Sequence, residues 1–295
     1  DGMLALIRPV MTCTDGRWAA TTRWIAVDRA RGARRATVAS PSAALTTIRA
    51  ASRRRTHTEH GHRVCPGAPG RAEGGAAVAP PPSCLWVRGP VDIASCCLRG
   101  ASVVGARSAT AYGEMVASEM AAGMGERRFT IISGAAFGID AAAHRGALAT
   151  GATTIAVLAG GVERPYPSSH ALLIARIVEV GAVVSEVAPG SAPTKTRFLQ
   201  RNRMIATMGR GTVVVEAGLR SGSLHTARIA AEHGRVVAAV PGPVTSMMSA
   251  GCHEAIRSGM AVLVTDAAEA AEAVGDYGSD LAPIRRGPTI AGDEL

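Results

Sequence analysis

Aromatic residues and lysine are both scarce in this sequence. Phe, Tyr and Trp together make up 3% of the 295 residues, which argues against a β-sandwich with an aromatic core. No uninterrupted apolar run approaches the ~20 residues that a membrane-spanning helix needs, so no membrane contact is expected. The amino end shows no basic stretch followed by an apolar one, and we therefore expect a cytoplasmic protein.

Positive charge is concentrated at one end of the chain. The formal net charge is +9, from 32 basic and 23 acidic residues. Residues 1–84 contain 13 arginines and 5 acidic residues, whereas residues 85–295 contain 19 basic and 18 acidic residues. Because the later region is almost neutral, any argument that it binds nucleic acid must depend on local clusters.

The first 84 residues show neither helical nor strand periodicity. They are rich in Arg, Ala, Pro and Gly, and we interpret them as a disordered segment or as one translated out of its natural frame. The His- and Cys-containing stretch at 57–65 is interpreted as chance, and the six cysteines match no zinc or redox motif. We therefore expect no metal and no cofactor.

From Leu85 onward, short β-branched runs alternate with Ala-rich amphipathic segments. The predicted strands are 102–104, 130–133, 153–159, 182–186, 212–217, 236–241 and 261–264. The predicted helices lie near 109–124, 138–150, 168–180, 199–209, 223–234, 253–258 and 266–274. This alternation predicts an α/β domain over residues 85–275 with a doubly wound, mostly parallel sheet, followed by a tail at 276–295. The strand-to-helix loops should share the carboxyl edge of the sheet, where ligands bind.

Three of these loops combine glycine with serine at the start of a predicted helix. Exposed backbone N–H groups there can receive a phosphate, although an ordinary turn and helix cap would look the same in sequence. The phosphate-loop candidates are Gly105, Ser108, Ser133, Gly134, Ser221, Gly222 and Ser223. Asp140 and His144 lie one helical turn apart and are interpreted as a structural pair. Glu216 ends a buried strand and is either catalytic or a residue that fixes its loop.

A fourth segment, residues 193–203, is the strongest nucleic-acid element in the chain. Four basic residues, among them the only lysine, flank one aromatic residue. Basic groups neutralise phosphates, and an aromatic ring offers a sequence-tolerant surface on which a base can stack. We expect Lys195 in a loop before the helix, Phe198 at the junction, and Arg201 and Arg203 on different sides. The alternative is a solvated charge run in which Phe198 anchors the helix in the core.

Seven motifs in order resemble the DNA-processing protein A (DprA/Smf) family over roughly residues 84–275. They are VGARSATAYG (104–113), SGAAFGIDAAAHRGAL (133–148), the YP of RPYPSS (164–169), VVSE (183–186), FLQRNRMIA (198–206), VVVEAGLRSGSLHTARIAAEHGR (213–235) and VPGPV with SAGCHEAI (240–256). The resemblance implies an extended Rossmann-like domain and a non-catalytic protein. It implies that the protein binds and protects incoming single-stranded DNA, loads the RecA recombinase during natural transformation, and forms a homodimer.

The resemblance also implies where DNA binds. In the family, contact falls on the arginine of the first glycine loop and on the basic and aromatic segment. With the candidates named above, the DNA-binding residues expected here are Arg107, Lys195, Arg197, Phe198, Arg201, Asn202 and Arg203. Leu199 departs from the proline usual in the family, and residues 1–84 and those after 275 do not resemble its accessory domains.

A second function class stays open from the sequence. A Rossmann-like enzyme that cleaves nucleoside monophosphates is the alternative, because Gly211-Thr212 and Glu216 are faintly similar to the phosphate loop and catalytic glutamate of that group. The glycine pair that precedes this step in those enzymes is absent here. Four basic residues beside Phe198 also suit a polymer better than a mononucleotide, so we expect no catalytic residue.

Overall fold

The computed structural model describes residues 84–284 and Pro82 and, before them, the backbone of five short strands. These strands are β1 (Leu4–Ala5), β2 (Val10–Thr14), β3 (Arg17–Thr21), β4 (Arg23–Ala26) and β5 (Arg34–Thr37). The sequence predicted no strand in this segment. The rest of residues 1–84, including the stretch at 57–65, lies outside the described residues, and so does most of the predicted tail at 276–295. The disorder of the first segment therefore stays a prediction.

A mostly parallel sheet forms the centre of the protein. Its strands are β6 (Leu85–Arg88), β7 (Gly100–Val104), β8 (Thr130–Ser133), β9 (Thr154–Val157), β10 (Ala182–Ser185), β11 (Gly211–Val214), β12 (Val236–Ala239) and β13 (Val262–Leu263). They run in the order β13-β12-β11-β7-β8-β9-β10-β6, and β2 and β3 follow at the β6 edge. Strands β7 to β13 pair in parallel, whereas β6 pairs antiparallel to β10. The predicted doubly wound α/β fold is confirmed.

Helices cover both faces of this sheet. They are α1 (Ile93–Leu98), α2 (Ala111–Glu126), α3 (Ile139–Ala149), α4 (Ala171–Val180), α5 (Lys195–Met208), α6 (Gly222–Glu232), α7 (Ala250–Arg257) and α8 (Ala267–Val274), with a 3-10 turn at Ser168–His170. Ile131 packs in one core cluster with α2, α3 and α8, and its neighbour Ile132 packs in a second cluster with α5, α6 and α7. Successive strand residues face opposite layers, which is why the strands read as continuous apolar runs.

Helix caps fix where the functional loops end. Thr110 caps α2 by accepting a hydrogen bond from the Gly113 N–H, and Ser221 caps α6 by accepting from the Leu224 N–H. Thr194 caps α5 by accepting from the Arg197 N–H. Helix α5 therefore begins at Lys195, four residues earlier than predicted, and Lys195 is its first residue rather than part of a loop. Within residues 84–284, no helix combines the length and the apolar character that crossing a membrane requires.

Candidate nucleic-acid interface

Phe198 is the centre of a contact between segments that are distant in sequence. The guanidinium carbon of Arg107, in the β7–α2 loop, lies 4.9 Å from the centroid of the Phe198 ring. The ring of Tyr166, in the segment after β9, has its centroid 5.7 Å from that of Phe198. All three residues stand at the carboxyl edge of the parallel sheet, where the topology brings the strand-to-helix loops together. Phe198 is half-buried against these neighbours and belongs to none of the core clusters.

Three cationic side chains either take part in this aromatic contact or belong to the same first turn of α5 as Phe198. Arg107 and Lys195 are exposed, and Arg197 is half-buried with its guanidinium donating to the carbonyl of Ala192. Arg197 also lines a cavity of about 460 Å³ beside α5, together with Arg201 and Arg203. The sheet edge therefore presents positive charge around an aromatic ring, although the region from residue 85 onward is almost neutral overall.

Arg201 does not lie on the surface with the other bases. Its side chain is 6% exposed, and one guanidinium nitrogen lies 3.9 Å from the Asp140 carboxylate. That carboxylate accepts hydrogen bonds from the N–H groups of Gly134 and Ala136, at 3.2 and 3.3 Å. Burial raises the pKa of Asp140 and lowers the pKa of Arg201. Arg201 thus lies against the β8–α3 loop from inside the protein, and the DNA contact expected for it stays a prediction.

Asn202 and Arg203, which follow Arg201 in α5, point elsewhere. Arg203 forms an ion pair with Glu186 at the end of β10. The Asn202 side-chain amide donates to the Gly222 carbonyl at 3.5 Å, a long contact that reaches the start of α6. Consecutive helical residues project about 100° apart, so three neighbours cannot share one surface. The expected separation of Arg201 from Arg203 is found.

The phosphate-loop candidates divide into internal and exposed groups. The Ser133 hydroxyl donates to the Val103 carbonyl at 2.7 Å, and the Gly134 N–H is held by Asp140. A Cβ at Gly105 would stand 2.4 Å from Ile139, so that glycine permits close packing. These three positions have internal partners that serve the fold, and phosphate binding at them stays a prediction.

Two of the phosphate-loop candidates are exposed, one beside the aromatic contact and the other at the start of a helix. Ser108 is exposed next to Arg107, and Gly222 is exposed as the first residue of α6. The Ser221 hydroxyl caps α6 and lies 3.0 Å from the hydroxyl of buried Ser223. The start of α6 is therefore the place in this group where an exposed backbone amide meets a positive helix end.

Glu216 fills the crevice at the topological switch point, where the order of the strands along the sheet reverses. Strand β7 has β8 on one side and β11 on the other, and doubly wound folds bind phosphates at such a switch point. The Glu216 side chain is 1% exposed and accepts from the Thr110 N–H at 2.9 Å and the Thr110 hydroxyl at 2.6 Å. A Cβ at Gly113 would stand 2.1 Å from its carboxylate. Glu216 therefore fixes the β7–α2 loop and closes the crevice.

The remaining titratable candidates have structural partners. The His144 ring nitrogen Nδ1 lies 2.7 Å from the Thr154 hydroxyl, and burial lowers the pKa of His144 to about 3. The Asp140 carboxylate instead accepts from the Gly134 and Ala136 N–H groups and faces Arg201, so the expected Asp140–His144 pair does not form. Among the described residues, no cluster of three His, Cys, Asp or Glu side chains could hold a metal ion.

This architecture defines a Rossmann-like α/β protein with a cationic, aromatic carboxyl edge. The family model described as "DNA recombination-mediator protein A" matches residues 73–275, and the chain belongs to this family. The resemblance to the DprA/Smf family inferred from the seven motifs is confirmed.

Relatives from several bacteria support the assignment. The putative DNA processing protein DprA of Mycobacterium tuberculosis is 51% identical over 213 residues, which cover 72% of this chain and 52% of the relative. The DNA processing protein DprA of Streptococcus pneumoniae is 41% identical over 184 residues, 62% of this chain and 64% of the relative. The chain thus spans about half the length of the mycobacterial relative.

Solved structures agree with the fold. The crystal structure of the S. pneumoniae protein superposes with a TM-score of 0.61 at 39% identity, covering 65% of this chain and 66% of that one. A DprA from Helicobacter pylori, described for its single-stranded DNA binding mode, gives a TM-score of 0.60 at 24% identity. That match covers 69% of this chain and 92% of the H. pylori chain, and it supports the fold alone.

Proposed function

We propose that this protein binds single-stranded DNA along the carboxyl edge of its sheet. The observation that carries the proposal is the contact of Arg107 with Phe198, which joins the first glycine loop to the basic α5 segment. Exposed Lys195 and half-buried Arg197 belong to the same first turn of α5 as Phe198. The names of the DprA relatives, which describe DNA processing, support the same interpretation.

Each group has a distinct task in the proposed site. Arg107, Lys195 and Arg197 neutralise backbone phosphates, and Ser108 and the start of α6 at 221–223 offer further hydrogen-bond donors. Phe198 is the centre of an aromatic surface, which suits any sequence because every base has a flat π-face. Asn202 and Arg203 border the site at its rim, whereas Arg201 acts from beneath it.

The wider role follows from the family. We propose that the protein works in the cytoplasm as a homodimer, protects incoming single strands, and loads RecA on them during natural transformation. A non-catalytic role is supported by Glu216, whose carboxylate holds the Thr110 loop. The phosphate-loop candidate of the enzyme alternative, Gly211-Thr212, opens buried strand β11 at the opposite end from Glu216.

A competition experiment with the full chain tests DNA binding. Single-stranded and blunt duplex oligonucleotides of equal length are compared over a series of salt concentrations. We expect preference for the single strand and a log–log salt slope of about −0.7 per phosphate contacted. Equal affinity for the duplex, or no salt dependence, would contradict the proposal. Hydrolysis of AMP, assayed on the same preparation, would instead support the enzyme alternative.

A matched pair of arginine variants locates the site. Arg107 precedes α2, and Arg127 follows the same helix as its C-cap at the other end, also exposed. The 16-residue helix separates the two ends by about 24 Å. Arg107→Ala is expected to weaken binding and flatten the salt slope, while Arg127→Ala binds as the unmodified chain does. Equal losses in both variants would place the DNA elsewhere.

A further inference from the structure

The Phe198 ring is partly covered in the free protein. Arg107 stands over it at 4.9 Å, and the Arg201 guanidinium carbon lies 5.7 Å from its centroid. Guanidinium groups over an aromatic face are held there by cation–π attraction. A base that stacks on Phe198 must therefore displace the side chain that is also expected to hold a phosphate.

Tyr166 extends the aromatic surface of Phe198. Its ring is tilted 55° to that of Phe198, with the centroids 5.7 Å apart, a geometry common for aromatic pairs. The residue is 49% exposed, so much of its surface faces solvent at the sheet edge. The sequence marked it only as part of the RPYPSS motif and gave it no role.

The segment that carries Tyr166 is anchored directly after it. The His170 N–H donates to the Pro167 carbonyl at 3.0 Å and starts the turn before α4. The His170 side chain is 7% exposed, and its Nδ1 lies 3.0 Å from the Ala135 carbonyl. This contact ties the Tyr166 segment to the β8–α3 loop. An aromatic ring placed in this way loses little conformational freedom when a base stacks on it, because it has only two side-chain torsions.

We propose that Tyr166 is a base-stacking residue of the DNA site, with Phe198 supporting its ring from behind. The inference rests on the proposed function and names the ligand of this surface as an unpaired nucleobase of a single strand. Arg107 then remains free to hold a phosphate next to the stacked base. Stacking on an aromatic ring does not depend on the identity of the base, which fits a protein that accepts any strand.

Binding of the full chain to two probes tests this role. One probe is an oligo-dT strand, and the other is an abasic strand of the same length and charge. Tyr166→Ala is expected to weaken binding of oligo-dT by about 5- to 150-fold, the equivalent of one lost stacked base. The same variant should bind the abasic strand as the unmodified chain does, because phosphate contacts are unchanged. Tyr277→Ala is the matched control, since that tyrosine is fully exposed in the segment after α8.

Two further variants separate stacking from a loss of structure. Tyr166→Phe keeps the ring and should keep the affinity for oligo-dT, whereas Tyr166→Leu keeps apolar bulk and should lose it. Unchanged binding of oligo-dT by both Tyr166→Ala and Tyr166→Leu overturns the inference, and so does an equal loss on both probes. If the unmodified chain fails to bind either probe, the proposed function itself fails, a result distinct from the other two.

Discussion

Replacement of Arg201 by alanine is expected to destabilise the fold more than it alters DNA contacts. The change removes the cation that faces buried Asp140 at 3.9 Å and leaves that carboxylate without a charged partner. Removing one member of a buried ion pair costs ~3–5 kcal/mol. The distance is long, and Asp140 keeps its two backbone donors, so we expect the lower end, about 3 kcal/mol. For a domain of this size, that loss lowers the melting temperature by about 6–12 °C.

The same variant should respond to pH in a defined direction. Burial raises the pKa of Asp140, and the positive charge of Arg201 opposes that rise. Without Arg201 the pKa of Asp140 rises further, and an acid with a raised pKa loses stability as pH increases above its ordinary range. The free energy of unfolding of Arg201→Ala should therefore lie further below that of the unmodified chain at pH 8 than at pH 5.

Urea unfolding monitored by circular dichroism measures both effects. The control is Arg201→Ala combined with Asp140→Asn, which removes the uncompensated charge and keeps an oxygen that accepts from Gly134. This double variant should recover part of the stability and lose the pH dependence. An Arg201→Ala variant that unfolds like the unmodified chain but binds DNA with a reduced salt slope would refute the reasoning. Arg201 would then be a phosphate contact.

Three further variants test the other parts of the structure. Lys195→Ala should leave the melting temperature unchanged, because the side chain is exposed, and should reduce the salt slope by about 0.7. Phe198→Ala should weaken oligo-dT binding by ~1–3 kcal/mol with an unchanged salt slope. Its melting loss should stay well below that of Phe129→Ala, a core residue that is 2% exposed and costs ~3–5 kcal/mol. A hydrogen bond from Arg99 lowers the pKa of Asp280, so Asp280→Asn should lower the melting temperature at pH 7. That difference should vanish in acid as Asp280 itself becomes protonated, and a difference that persists at low pH would contradict the ion-pair explanation.

The sequence predicted the sheet well because each central strand is buried on both faces. All four residues of β8, β9, β10 and β11 are buried, and such runs differ clearly from the amphipathic helices between them. Strand β6 and helix α1 were missed for the opposite reason. One of the four residues of β6 is buried and none of the six in α1, and both elements are too short for their apolar residues to show a period of 2 or 3.6.

The direction of each basic side chain could not be predicted in the same way. Threonine is a common helix N-cap, and Thr194 caps α5 in the structure. The sequence nevertheless predicted the start of α5 four residues too late. The sequence therefore indicated that Arg201 and Arg203 differ without indicating which one is internal. That answer depends on Asp140 and Gly134, which come from a loop more than sixty residues earlier and approach α5 only in the fold. A Cβ at Gly134 would stand 1.3 Å from the Arg201 guanidinium.

Two internal side chains determine which ligand this edge of the sheet can accept. The Glu216 side chain fills the switch-point crevice, and Arg201 lies against the backbone of the second glycine loop at Gly134. In a nucleotide-binding Rossmann-like fold, both places would be open to a phosphate. With both occupied from within, cations such as Arg107 and Lys195 remain exposed on the outer surface of the edge, and Arg197 is half-buried beside them. Charges spaced along a surface match successive phosphates of a strand better than the single phosphate of a mononucleotide, which favours a polymer as the ligand of this edge.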